Sequence, residues 1–304
     1  MLADISIEDT FLRSAFRVAA RNRRNHFESI SRAALYGFHQ SVLEVDVHRL
    51  CNSLDTLPVD TRGFGYHGAS MGIGLLESYG MTKATQIRTT LAAPRTLHRF
   101  MVYFGLGWAV ARLPHLRSQE RQFLADPTEF LCWIPLVGFG AHQAVFHWNR
   151  YVDNQSVPLG FSRSGLRAFD QGIGAALWYG EGASEERTAE RIAMFHPSRQ
   201  SDLWSGLGFG CAYAGEPNEQ ALRYLREASG PFEAYLAEGA TMAALIRQNA
   251  GNFTQSTDLA CRYFCDLSAE AVASWAERAI VTPSSPVESS LYELWRENIR
   301  SFFV

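Results

Sequence analysis

Glycine constrains this chain more than any other residue. The stretch Arg62 to Tyr79 reads RGFGYHGASMGIGLLESY and places Gly63, Gly65, Gly68, Gly72 and Gly74 among mostly apolar neighbours. A glycine inside a helix costs about 1 kcal/mol relative to alanine, so such a run needs a compensating gain. Close backbone approach is the simplest one. Gly68 and Gly72 fall four apart on one helical face, as do Gly172 and Ala176, and Gly206 and Gly210, so each pair admits a neighbouring helix or a ligand. None of these runs is a dinucleotide or phosphate loop, because no strand pattern precedes them and no acid follows at the required distance.

The same grammar returns further on. Gly138 to Ala144 (GFGAHQA) matches Gly63 to Ala69 (GFGYHGA) at an offset of 138 − 63 = 75, which sets His142 against His67. A looser copy, Phe169 to Leu177 (FDQGIGAAL), carries Asp170 and Gln171 just before its first glycine. Met101 to Leu113 and Trp204 to Ala214 share Gly-Leu-Gly plus an aromatic, offset by 206 − 105 = 101. Recurrence of this kind predicts a repeated unit, here a helical hairpin or a pair of them.

Elsewhere the periodicity is helical. From Ile7 to Leu54, apolar residues recur at three and four (Phe11, Ala15, Val18, then Phe27, Ile30, Ala34, Phe38, Val42), which predicts two helices broken near Arg23 to His26. Leu57 to Asp60 is a proline-containing turn. Asp126-Pro127-Glu129 and Ser285-Pro286-Glu288 carry cap, first-turn proline and acid, and so predict helix starts. Beyond Ser184 amphipathic helices follow one another, and alternating strand patterns do not occur. The expected fold is all-α, with stacked antiparallel helical hairpins and internal Gly-rich repeats. It forms a single domain over 1–304 with two pseudo-symmetric halves, about 1–159 and 160–304.

Composition narrows the function classes. A hydrophobic fraction of 47% with 19% charge predicts a folded core rather than disorder. The net charge of −3 gives no reason to expect nucleic acid, although Arg13, Arg17, Arg21, Arg23 and Arg24 form a local basic face. Lys83 is the only lysine and no phosphate-binding loop surrounds it, which argues against Schiff-base chemistry. The odd, scattered cysteines and the start MLADISIEDT predict a cytoplasmic protein. The most apolar run, Phe130 to Phe146, contains Pro135, His142 and Gln143, so a buried core segment is expected and no transmembrane one.

Five motifs occur in order: RGFGYHGASMGIGLL, YFGLGWAVARLP, GFGAHQAVFHW, FDQGIGAALWYG and SDLWSGLGFGCAYAG, preceded by HFESISRAALYGFHQSV. In these the chain resembles the bacterial family called domain of unknown function 1702, whose members sit beside enediyne polyketide synthases and in other natural-product gene clusters. The resemblance covers most of the chain and implies a setting in enediyne, polyketide or isoprenoid biosynthesis. The family pattern has an acid where this chain has His67, an acid where it has Val137 and an arginine where it has Ala175, which marks a divergent branch.

His67, His142 and Asp170 occupy corresponding places in the Gly-rich segments, and packing of duplicated hairpins about a pseudo-axis would bring such places together. Two imidazoles and a carboxylate suit acid–base catalysis in an apolar pocket, a metal site with open positions, or ordinary core hydrogen bonding. Asp202 is a further catalytic candidate beside Trp204, or else a helix cap. The expected substrate-binding wall comprises Phe64, Tyr66, Trp108, Phe139, Trp148, Trp178 and Trp204, with Gln143 and Gln171 beside it. Aromatic walls suit a hydrophobic, polyene-like substrate and stabilise developing positive charge. Arg112 is expected either to neutralise an anion or to reach the surface. A nucleophile elbow and aspartate-rich diphosphate motifs are both missing from the sequence. The expectation is an isomerase or cyclase without a redox cofactor. Two alternatives stand beside it: a non-catalytic carrier docking on a polyketide synthase or acyl carrier protein through the N-terminal arginines, and a helical protein-binding scaffold.

Overall fold

The computed structural model describes residues 21–304 except 45, 94–95, 114–129 and 281–289. Among the described residues the protein is all-α. The helices are α1 (Arg21–Leu43), α2 (Val47–Asp55), α3 (Arg62–Ser78), α4 (Thr82–Leu91), α5 (Arg99–Ala111), α6 (Ile134–Phe146) and α7 (Arg163–Gly180). They continue as α8 (Glu185–Ala193), α9 (Pro197–Ala214), α10 (Glu219–Ser229), α11 (Glu233–Asn249), α12 (Gln255–Phe264), α13 (Ala269–Arg278) and α14 (Leu291–Arg300). No described helix is long and apolar enough to cross a membrane.

Local chemistry explains most of the boundaries. Ser162, Ser184, Asn218, Thr254, Ser268 and Ser290 each cap a helix by accepting a backbone N–H three residues on. α6 carries Pro135 in its first turn, where the missing N–H costs nothing. The break expected at Arg23 to His26 does not occur. α1 runs through it, and the chain turns instead at Asp46, whose carboxylate accepts from Arg49 N–H to start α2. The periodicity before residue 21, Arg13 and Arg17, and the expected helix starts at Asp126 and Ser285 lie outside the described residues.

One series of long helices, α1, α3, α5, α6, α7, α9 and α11, packs each member on the next. Neighbours in this series run in the same direction, because their paired contacts rise together, so these helices do not stack in the antiparallel manner expected from the sequence. Gly68 lies on Ala34 and Gly72 on Ser41; Gly63 approaches Met101 and Gly74 approaches Ala109; Gly174 lies on Leu203 while Trp178 reaches the Gly215 carbonyl. The glycines set the spacing. A Cβ on Gly107 would stand 2.0 Å from the Pro135 carbonyl oxygen, and one on Gly140 would stand 2.0 Å from that of Phe169. In α5, α6, α7 and α9 two glycines at i and i+2 face opposite neighbours. Gly105 meets His67 and Gly107 meets Pro135; Gly138 meets Phe104 and Gly140 meets Phe169; Gly172 meets Val137 and Gly174 meets Leu203; Gly206 meets Gln171 and Gly208 meets Leu236. Backbone contact between helices therefore accounts for most of the glycine content. The buried core that results is continuous from Phe27 in α1 to Ile299 in α14.

The series also curls back on itself. Phe27 of α1 meets the Tyr179 ring of α7 at 5.5 Å, and Phe64 of α3 meets the Tyr213 ring of α9 at 5.3 Å. A curved series whose first members touch its later ones encloses space at its centre.

Candidate functional site

That space is a cavity of about 180 Å³ bordered by α1, α3, α5, α6, α7 and α9. Each helix presents residues at three- and four-residue spacing: Phe64, His67, Gly68 and Met71 from α3; Met101, Phe104 and Trp108 from α5; Ala175, Ala176 and Tyr179 from α7; Phe209, Gly210 and Tyr213 from α9. α1 adds Phe27, Ile30, Ala34 and Phe38, and α6 adds Ala141, Val145 and Phe146. The wall is almost entirely apolar and rich in aromatic rings.

Polar atoms on this wall that make no hydrogen bond include His67 Nε2, Trp108 Nε1 and the Tyr213 hydroxyl. The His67 ring is held edge-on to Trp108 at 4.5 Å and to Phe104 at 5.3 Å. Burial among these rings, with no charged partner, pushes its pKa down to about 3, so the imidazole is neutral at physiological pH. Tyr213 stacks on Phe209 at 5.4 Å, and the Arg247 guanidinium lies 4.1 Å above its ring. Its hydroxyl sits where a Cβ on Gly63 would fall at 2.1 Å, and burial raises its pKa. Across the cavity the Tyr179 and Ser31 hydroxyls are 3.5 Å apart. Arg112, just beyond α5, lines the cavity with its guanidinium 4.9 Å over Phe146.

The four expected catalytic residues do not converge. His67 is on the wall. His142 is buried behind Trp108, edge-on to it at 5.3 Å and near Phe146 at 4.8 Å, so the indole stands between the two imidazoles. Asp170 is not on the cavity wall and pairs with Arg199, which donates from Nε at 2.9 Å and also from Nη2. Burial pushes the Asp170 carboxyl up to about 6 against the pull of that guanidinium. Asp202 is neither a cap nor a lone carboxylate beside Trp204. It lies inside α9, where His196 is the cap, and it accepts from Arg296 at 2.8 Å and Arg167 at 3.2 Å. The Arg296 guanidinium also donates to Glu238 at 2.6 Å, and Arg300 reaches the other oxygen of Glu238. Burial works to raise the Glu238 carboxyl, but the two arginines hold it below its ordinary value. Among the described residues no three His, Cys, Asp or Glu side chains gather as a metal-holding group, so His67, His142 and Asp170 do not form one.

Of the expected binding wall, Phe64 and Trp108 line the cavity. The others are placed elsewhere. Tyr66 stacks on His98 at 4.5 Å and donates to Asp55. Phe139 packs on Phe169, and Gln143 points at the Tyr151 hydroxyl. Trp148 lies against Gly180 and donates to Asp153. Gln171 donates to Ser205 and accepts from Tyr292. Trp178 donates to the Gly215 carbonyl, and Trp204 is buried in the core. Of the wall residues that went unrecognised, Phe104 was marked by its spacing of four from Trp108 and Phe209 and Tyr213 by their spacing of four from each other, whereas no such spacing marked Tyr179.

The family model described as Protein of unknown function (DUF1702) matches residues 1–303. The chain belongs to this family. No curated protein and no solved structure matches it.

Proposed function

We propose that this protein binds a hydrophobic small molecule, polyene-like in character, in the central cavity, and that it acts on that molecule in natural-product biosynthesis. The observation that carries this is the His67 imidazole: neutral, without a hydrogen-bond partner, and set in an aromatic wall that holds almost nothing else polar. This imidazole takes no proton from water at neutral pH, but it can take one from a far more acidic cationic carbon on the ligand, whose charge the surrounding rings stabilise, a combination suited to an isomerase or cyclase that needs no redox cofactor. In this proposal Phe64, Trp108, Phe104 and Tyr213 hold the substrate, His67 moves the proton, and Asp170 and Asp202 support the fold.

Native mass spectrometry of the protein purified from a producing bacterium tests the proposal. An organic adduct of a few hundred daltons, lost on His67→Trp substitution, supports it; a bare chain under gentle conditions overturns it. A second reading, a carrier that shields its ligand and delivers it to a polyketide synthase or acyl carrier protein, is favoured by the engagement of Asp170 and Asp202 in ion pairs, which leaves few groups for proton chemistry. Product formation that survives His67→Ala selects the carrier.

The same proposal extends to the architecture. The paired glycines that face opposite neighbours are explained by duplication of a helical hairpin, stacked with its copies in one domain of two related halves near 1–159 and 160–304.

A further inference from the structure

We propose that the cavity's ligand is an uncharged molecule with an oxygen acceptor on an otherwise apolar frame, and that the Trp108 indole N–H binds that oxygen. This rests on the cavity being a ligand site, and it adds what kind of ligand the wall selects. A pure hydrocarbon would leave His67 Nε2, Trp108 Nε1 and the Tyr213 hydroxyl unpaired in an apolar enclosure, and a buried polar group without a partner is costly. The indole nitrogen only donates, so the ligand atom that meets it must accept. A carbonyl, ether or hydroxyl oxygen does so without bringing a charge into the enclosure.

The polar inventory of the wall argues for neutrality. Among the described residues no carboxylate lines the cavity, and the unpaired atoms named above belong to a tryptophan, a tyrosine and a histidine. His67 and Trp108 are in ring contact, so an oxygen held by the indole lies beside the imidazole as well. Tyr213 enters from α9 on a different side of the wall and both donates and accepts, which suits a second oxygen or a hydroxyl further along the same frame. Arg112 is the one charged side chain on the wall among the described residues and lies over Phe146, so an anionic ligand makes a different, distinguishable prediction.

The test compares three probes of equal chain length, undecane, methyl nonyl ketone and undecanoate, each titrated into the full chain labelled with nitrogen-15 at its tryptophans. The protein has 7 tryptophans, and the Trp108 indole resonance is assigned by its loss in Trp108→Phe. The expected result is that the ketone binds at least about tenfold tighter than undecane and shifts the Trp108 N–H signal, with the preference gone in Trp108→Phe. The shift in the wild-type chain stands as evidence even where that variant folds poorly. Equal binding of undecane and ketone, with no movement of the Trp108 signal, overturns the oxygen inference and leaves the cavity as a binding site. Tightest binding by undecanoate overturns the neutral ligand in favour of one paired to Arg112. Failure of all three probes to bind refutes the ligand cavity itself.

Discussion

The His67 imidazole makes a stability prediction that needs no ligand. Its ring is 5% exposed, and burial lowers its pKa from 6.5 to about 3. Between those values the unfolded chain binds a proton that the folded chain refuses. The stabilisation due to the neutral ring is therefore complete above about pH 6.5 and is lost as the pH falls toward 3, at about 1.4 kcal/mol per pH unit. By pH 5 the loss from this one residue is about 2 kcal/mol, a large part of a typical folding free energy. Substitution of His67 by Phe, which keeps the edge contacts with Phe104 and Trp108, removes the term. Denaturant unfolding followed by circular dichroism at pH 7.5 and pH 5 measures it. Wild type should lose about 2 kcal/mol more than His67→Phe over that interval. His98, which burial lowers to about 4, titrates in the same direction in both proteins, so the variant keeps a residual slope and only the difference is diagnostic. Equal losses in the two proteins would show that the imidazole finds a proton-stabilising partner, and the neutral-histidine argument would fall with it.

Other perturbations test the packing and the assignment of roles. Gly107→Ala places its Cβ 2.0 Å from the Pro135 oxygen and 2.7 Å from the Phe139 nitrogen, both backbone atoms. The helix-propensity gain of about 1 kcal/mol is outweighed by overpacking of roughly 1–3 kcal/mol or more, so thermal melting should show a net loss. Gly72→Ala meets first the Ser41 side-chain oxygen at 2.1 Å, which can rotate away, and should lose less. Arg296→Met leaves Glu238 with Arg300 alone and Asp202 with Arg167 alone, and should cost up to about 3–5 kcal/mol in denaturant unfolding, part of it recovered when Glu238→Gln is added. Asp170→Asn should lower stability through the Arg199 pair yet leave ligand capture intact in a binding assay, because neither residue borders the cavity.

Much of the fold was legible because it depends on local signals. The amphipathic helices after Ser184 and their Ser, Thr and Asn caps follow from spacing and from side chains that accept a backbone N–H nearby. The glycine runs pointed correctly to close approach. What they did not disclose was the register of that approach. Sequence similarity aligns Gly63 with Gly138 and so His67 with His142, at an offset of 75. Contact aligns Gly68, which lies on the preceding helix at Ala34, with Gly138, which lies on the preceding helix at Phe104, and that offset is 138 − 68 = 70. The five-residue difference is more than one helical turn, and it turns His142 away from the wall that His67 occupies.

The contact register also explains why the remaining polar candidates became structural. Of the residues just before the glycines that face back along the series, the apolar ones include Phe104 and Val137, and four are polar: His67, Gln171, Ser205 and Glu238. Three of them join one buried chain: Gln171 donates to Ser205, Ser205 donates to Glu238, and Glu238 is closed off by Arg296 from α14. A polar group inserted between tightly packed helices must find a partner there, and each of these found one on a neighbouring helix. His67 faces Phe104 and Trp108 instead, where the next helix offers only rings. Its unpaired nitrogen is thus the exception among these four residues, and it borders the cavity.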